Sequence, residues 1–235
     1  MALVFDIETI GEEFDNFDKT TQDSLTRWIK RQTGDDKGKY NALLKDLKDG
    51  LGFSPLTGEI VALGLYDTVA NKGVVYYQAP NSDIGEKENG NFIFKPRTER
   101  EMLLNFWQGA LKYKEFVSFN GRSFDIPFMA IRSTIYKIKP SVNLMSNRYL
   151  SSQYYYKHID LLDQLCFYSA VRRRGNLHLY CRAFGITSPK SSGITGDDVY
   201  KLFKAGEYEK IAKYNSWDLI ATAELYQRWI KFINF

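Results

Sequence analysis

Cysteine is scarce. Cys166 and Cys181 are the only two in 235 residues, and they form no C-x-x-C pair. That spacing excludes a disulfide framework and a cysteine-built zinc knuckle, and it predicts buried free thiols in a reducing, cytoplasmic setting. Long apolar runs are also missing; none reaches the length that spans a bilayer, so no membrane role is expected. Met1 runs directly into strand-like sequence, without a basic leader, apolar stretch and cleavage site. Internal repeats and low-complexity segments are absent. Neither sign of charge dominates: 32 basic against 28 acidic side chains leave a formal charge of +4, which permits a polyanionic partner without requiring one.

The chain is rich in core material. Hydrophobic residues make up 44% and aromatics 15%, too much for a disordered chain. Leu3 to Ile7 read as a buried strand. "EIVALGLYD" and "GVVYYQA" read as an antiparallel pair, and "EFVSF" and "YKHID" as further strands. "TEREMLLNFWQGALKY" opens with Thr98 and Glu101, the spacing of a capping box on an amphipathic helix. "IPFMAIRSTIY", "NLHLYCRAFG", "DDVYKLFKAG" and the last 26-odd residues from Tyr208 read as helices, with Gly185 closing the second. This order predicts an α/β fold, a mixed sheet flanked by helices, as one domain over residues 1–235. A mixed-charge insertion at 11–52 follows the first strand. It holds two helical patches, "SLTRWIKRQ" and "YNALLKDLK", around a turn at "TGDDKGK".

Acids stand where a fold avoids them. Asp6 and Glu8 lie two apart at the predicted strand end, so both point to one face. Asp125, in "SFNGRSFDIPF", follows another strand amid aromatic residues. Tyr214 and Asp218, in "YNSWD", are four apart and share a helical face with Ile211 and Ala221. Carboxylates gathered at one point repel each other and lose hydration unless cations neutralise them. Hard divalent ions such as Mg²⁺ or Mn²⁺ suit oxygen donors, and two of them about 3.5–4 Å apart serve in-line attack on phosphodiesters.

"DIET", "NGRSFD" and "YNSWD" resemble the three exonuclease motifs of the DnaQ-like, DEDD-type 3′–5′ exonucleases of the RNase H-like fold. More narrowly, they resemble the proofreading domains of family-B DNA polymerases and their stand-alone relatives. Tyr214, four before Asp218, matches the tyrosine subclass; the histidine subclass would place histidine where this chain has Lys213. The resemblance implies two divalent metal ions, with Asp6 bridging them, Glu8 and Asp218 completing one site and Asp125 holding the second. It gives Tyr214 the task of orienting the attacking water. It implies that Ile7 and Thr9 line the terminal nucleotide and that Asn120 and Phe124 line the strand. Lys190, in "PKSSGITG", is expected to touch phosphate. The implied substrate is single-stranded nucleic acid, DNA favoured over RNA, cut from the 3′ end to nucleoside monophosphates. An exoribonuclease and a silent single-strand-binding module are the alternatives.

Other residues carry two readings each. His158 reads as a satisfied structural histidine or a phosphate contact, and Asp160 as a cap or a further acid behind the ligands. Arg172, Arg173 and Arg174 form either a solvated turn or a phosphate clamp. Tyr154, Tyr155 and Tyr156 pack at a sheet edge or stack bases, and Trp28 stacks or pins the insertion.

Overall fold

The computed structural model describes residues 1–189 and 193–234. Strand β1 covers Ala2–Gly11, longer than its apolar start suggested. Asp6 and Glu8 therefore lie in mid-strand, not at its end. The extra length follows from β2 (Gly58–Asp67), which pairs antiparallel with β1 from Leu3↔Asp67 to Gly11↔Gly58. The register shifts between Glu8 and Thr9, a bulge of the kind that re-aims side chains beside functional sites.

Between these strands lie α1 (Lys19–Thr33) and α2 (Lys37–Asp49). Asp18 and Asp36 cap them by accepting from the Thr21 and Lys39 N–H groups. The turn between them is shorter than expected, because Asp36 starts α2 within "TGDDKGK". Helix α1 buries Ile29, whereas α2 buries no residue fully.

Next come β3 (Lys72–Tyr77), β4 (Lys87–Asn89), β5 (Phe92–Pro96), α3 (Glu99–Ala110), β6 (Glu115–Ser118) and α4 (Asp125–Ile135). The chain continues through β7 (Lys157–Asp160), α5 (Leu161–Leu165), α6 (Leu177–Phe184), α7 (Val199–Lys204) and α8 (Tyr208–Phe232). Thr98 and Glu101 form the expected capping box on α3, and Gly185 ends α6 in the left-handed conformation. The seven strands form one sheet in the order β4-β5-β3-β2-β1-β6-β7. β2 pairs antiparallel with β1 and β3, while β6 runs parallel to β1 and β7. The β4–β5 hairpin is not among the strands that the sequence pattern predicts. Its first strand is three exposed polar residues with no periodicity, although Asn89-Gly90 is a hairpin-turn dipeptide.

Strand alternation builds two cores. Leu3, Phe5 and Ile7 face Met102, Leu103 and Phe106 of α3 and Met129 of α4. Ala2, Val4 and Ile10 face the other way, into a layer with Cys181 of α6 and Ile211, Leu219 and Leu225 of α8. Both cysteines are buried and free, as expected. Among the described residues no helix is long and apolar enough to cross a membrane.

Candidate active site

Asp6 and Glu8 share the strand face of Ala2 and Val4, so they point toward α8 rather than α3. Tyr214 and Asp218 come to them from the inner face of that helix, where Ile211 and Ala221 are also buried. Single carboxylate oxygens of Asp6, Glu8 and Asp218 lie within 4.8 Å of one another. Asp6 is half-buried, and Glu8 and Asp218 are 8% and 9% exposed. Burial first, and then repulsion from Asp125, Asp218 and Glu8, raises the pKa of Asp6 well above the carboxylate range. Glu8 is raised for the same reasons, with Asp218 its strongest repulsive neighbour.

Asp125 opens α4 and is 3% exposed. Its Oδ1 accepts the Ile7 N–H at 3.1 Å, which ties it to the back of β1 beside the triad. Burial pushes its pKa up to about 7, against the lowering effect of its own N–H and that of Ile7. Among the described residues, no lysine or arginine is ion-paired with Asp6, Glu8 or Asp125. A cluster of hard oxygen donors with this charge fits a divalent cation of the Mg²⁺, Mn²⁺ or Ca²⁺ type.

Tyr214 is 6% exposed and hydrogen-bonded to Asp218. Burial and the three nearby acids raise its pKa far above that of a free phenol, so the hydroxyl stays protonated and donates. Asn120 sits in the left-handed region at φ 66°, which asparagine tolerates, in the turn after β6. Asp160 holds that turn: its carboxylate accepts from Asn120 N at 2.9 Å and Arg122 N at 3.0 Å, and caps α5 through Leu162 N at 3.0 Å. Phe124 precedes Asp125, half-buried against Phe128 with ring centroids 5.6 Å apart.

Two expected contacts take a different form. The Ile7 side chain is buried in the α3 core on the opposite face from the acids, because odd residues of β1 point that way. It is therefore not free to line a nucleotide, and its contribution to the site is the N–H held by Asp125. The Thr9 hydroxyl donates to Gly52 O at 2.7 Å, tying the segment that follows α2 back to β1. Lys190 lies outside the described residues. His158 is structural: Nδ1 bonds Leu144 O at 3.1 Å, Nε2 bonds Ser118 Oγ at 2.8 Å, and burial lowers its pKa to about 3. Arg172, Arg173 and Arg174 are exposed, and Arg174 bonds Ser169 Oγ at 2.5 Å. Tyr154 and Tyr155 are 88% and 84% exposed, at the start of β7, whereas the acids gather toward the end of these parallel strands. Tyr156 instead packs on Phe116 with centroids 6.4 Å apart. Trp28 is partly exposed on α1.

Asn215, which no sequence pattern singles out, is central. Fully buried, it donates Nδ2–H to Asp6 Oδ2 at 2.8 Å and also hydrogen-bonds Glu8. Gly64 makes room for it, directly opposite Asp6 in the β1–β2 register. A Cβ there would lie 1.9 Å from Asn215 Oδ1. A glycine inside the apolar run "VALGLYD" was the available signal, since such glycines mark close approach.

A mixed sheet covered by helices, with acids on its interior strand β1, after β6 and on the final helix, is the RNase H-like exonuclease fold. A family model described as "DNA polymerase family B, exonuclease domain" matches residues 1–153. Another, "Predicted 3'-5' exonuclease related to the exonuclease domain of PolB", matches residues 84–234. Each covers more than half of the chain, which belongs to the 3′–5′ exonucleases related to the exonuclease domain of family-B DNA polymerases. The structure of the family B DNA polymerase from the hyperthermophilic archaeon Pyrobaculum calidifontis is similar over 98% of this chain, with TM-score 0.58 and 16% identity. The match takes up 24% of the polymerase chain, so this chain spans about a quarter of that length. No curated protein matches it.

Proposed function

We propose that the chain removes nucleotides from the 3′ end of single-stranded DNA as nucleoside monophosphates, using two divalent ions, Mg²⁺ or Mn²⁺. The observation that carries this reading is the triad of Asp6, Glu8 and Asp218, with oxygens within 4.8 Å of one another. Asp6, Glu8 and Asp218 would hold one ion, and Asp6 with Asp125 the other. Bound there, the ions would lower the pKa of water and neutralise the developing charge on phosphate. Water attacks phosphorus in line, the bond from phosphorus to the 3′ oxygen breaks, and the leaving 3′ oxygen takes up a proton. Tyr214 positions that water through its hydroxyl. Its raised pKa keeps it from acting as the base. Asn215 keeps Asp6 and Glu8 aligned. Asn120 and Phe124 lie beside Asp125 and would contact the strand.

The test is to incubate the protein with 5′-labelled single-stranded DNA and RNA of one sequence, with Mg²⁺ or Mn²⁺, chelator and Asp6→Ala as controls. A metal-dependent ladder shortening from the 3′ end, faster on DNA, is expected. A faster RNA ladder would make the enzyme an exoribonuclease, and internal cuts or binding without cleavage would overturn the reading.

A further inference from the structure

The segment between β1 and β2 ends in an exposed aromatic ring on a rigid mount. A Cβ on Gly11 would meet Leu51 Cβ at 2.6 Å, and one on Gly52 would meet Gly11 N at 2.9 Å. The 3-10 turn Leu51–Phe53 therefore lies directly on the end of β1. Two side chains fasten it: Thr9 Oγ1 donates to Gly52 O at 2.7 Å, and Thr57 Oγ1 to Leu51 O at 2.8 Å. Leu51 is 3% exposed, yet Phe53, two residues on, is 68% exposed.

Single exposed hydrophobic residues are common on protein surfaces and need no explanation. Phe53 differs in its mount and its position. Its ring meets Phe124 edge-on, with centroids 6.4 Å apart at 66°, and Phe124 immediately precedes Asp125. The two rings thus meet at the start of α4, next in the chain to Asp125, with Phe124 resting on the α3-side core and Phe53 coming from the turn that follows α2. A cleft of about 500 Å³ opens next to Phe53, walled by Thr9 and Ile10 of β1, Lys45 of α2 and Tyr200 of α7.

We propose that Phe53 is a base-stacking residue that works with Phe124 to receive unpaired bases near the 3′ end. The α1–α2 segment is then a specificity determinant for single strands. This rests on the exonuclease reading above. Every base has a π-face that a ring can cover, whichever base it is, but in a duplex every base inward of the terminal pair has both faces taken by stacked neighbours. A fixed ring therefore favours unpaired ends without choosing among bases.

The test uses short single-stranded DNA carrying an intact 3′ end or one abasic site at the terminal, penultimate or antepenultimate position. Binding is measured in the Asp6→Asn background, and turnover with the active protein. Phe53→Ala is expected to weaken binding of the intact strand by about 5- to 50-fold, the range for losing one stacked base. It should also bind intact and abasic strands alike at one position where wild type distinguishes them. Phe53→Trp should restore that distinction. In turnover, KM should rise while kcat holds, and the melting temperature should not move, since the ring is exposed. Equal affinity of Phe53→Ala and wild type for the intact strand would overturn the proposal while leaving the exonuclease reading in place. Wild type that neither binds nor cleaves any strand would remove that reading, and the proposal with it.

Discussion

Two sets of buried carboxylates lie on opposite faces of the sheet, and they are treated differently. Glu99, 2% exposed at the start of α3, has a full complement of partners. It accepts Ile60 N–H at 2.9 Å, Arg132 Nε and Nη2 at 2.8 and 2.6 Å, and the Tyr136 hydroxyl at 2.9 Å. Asp6 and Glu8, on the α8 face, share the amide of Asn215 and stand among other acids. A carboxylate buried to hold a fold is neutralised on the spot. A cluster left short of positive charge between an interior strand and a helix destabilises the fold it sits in. Such a deficit marks a place where a cation and a substrate are meant to complete the structure.

The sharpest way to break this contrast is to neutralise one acid from each set. Asp6→Asn should lower cleavage by about 10³-fold or more, the scale of losing a group that organises transition-state charge. It should also raise the melting temperature in chelator, because it removes like-charge repulsion. Glu99→Gln should do the reverse. It leaves Arg132 buried beside a neutral partner and should cost about 3–5 kcal/mol in urea unfolding, with turnover kept at low temperature. If Asp6→Asn destabilised the protein as much as Glu99→Gln, the two sets would be the same kind of site.

A smaller effect separates the sets by pH and metal. The pKa values of Asp6, Glu8 and Asp125 are raised in the folded protein, so it holds protons that the unfolded chain has released. Their contribution to stability is full below the unfolded carboxylate range of about 4 and is lost as pH rises through the folded values, about 7 for Asp125. Asp18, Asp23 and Glu86 on the surface are shifted down and act in the opposite sense. The comparison is therefore wild type against Asp6→Asn in chelator: wild type should lose more stability between weakly acidic and neutral pH. Adding Mn²⁺ at neutral pH should return about 2.7 kcal/mol at a hundredfold over Kd, and Asp6→Asn should abolish most of that gain. A metal response equal in both proteins would place the ion elsewhere.

Much of this site was legible because its residues break local rules. Acids in an apolar strand, among phenylalanines and on the inner face of a helix are conflicts visible without coordinates, and conflicts concentrate at functional sites. The long strands and helices were legible for the opposite reason, that propensity, caps and periodicity agreed. What escaped was tertiary. Whether Ile7 points to the nucleotide or the core depends on which helix covers which face. That Asn215 reaches Asp6 depends on α8 crossing β2 at Gly64. The edge strand β4, "KEN", has no pattern of its own and exists because β5 offers it a partner.

Asn215 is where the contrast can be sharpened with the least disturbance. Its side chain is the hydrogen bond that links Asp6 and Glu8, and it is held against a glycine rather than a side chain. Asn215→Ala should weaken Mn²⁺ binding by about 10–100-fold, the usual cost of removing a group that orients metal ligands. Calorimetry reads this without cleavage. Gly64→Ala should have a similar effect by a different route, since its new methyl would overlap Asn215 Oδ1 and push the amide off Asp6. The two substitutions should then be strongly non-additive. In the double variant the amide is gone and only Leu219 Cδ1, 2.6 Å from the added Cβ, still has to move, so adding Gly64→Ala to Asn215→Ala should cost less affinity than Gly64→Ala does alone. If the two losses simply added, Gly64 would act on the strand itself and the amide would not be its target.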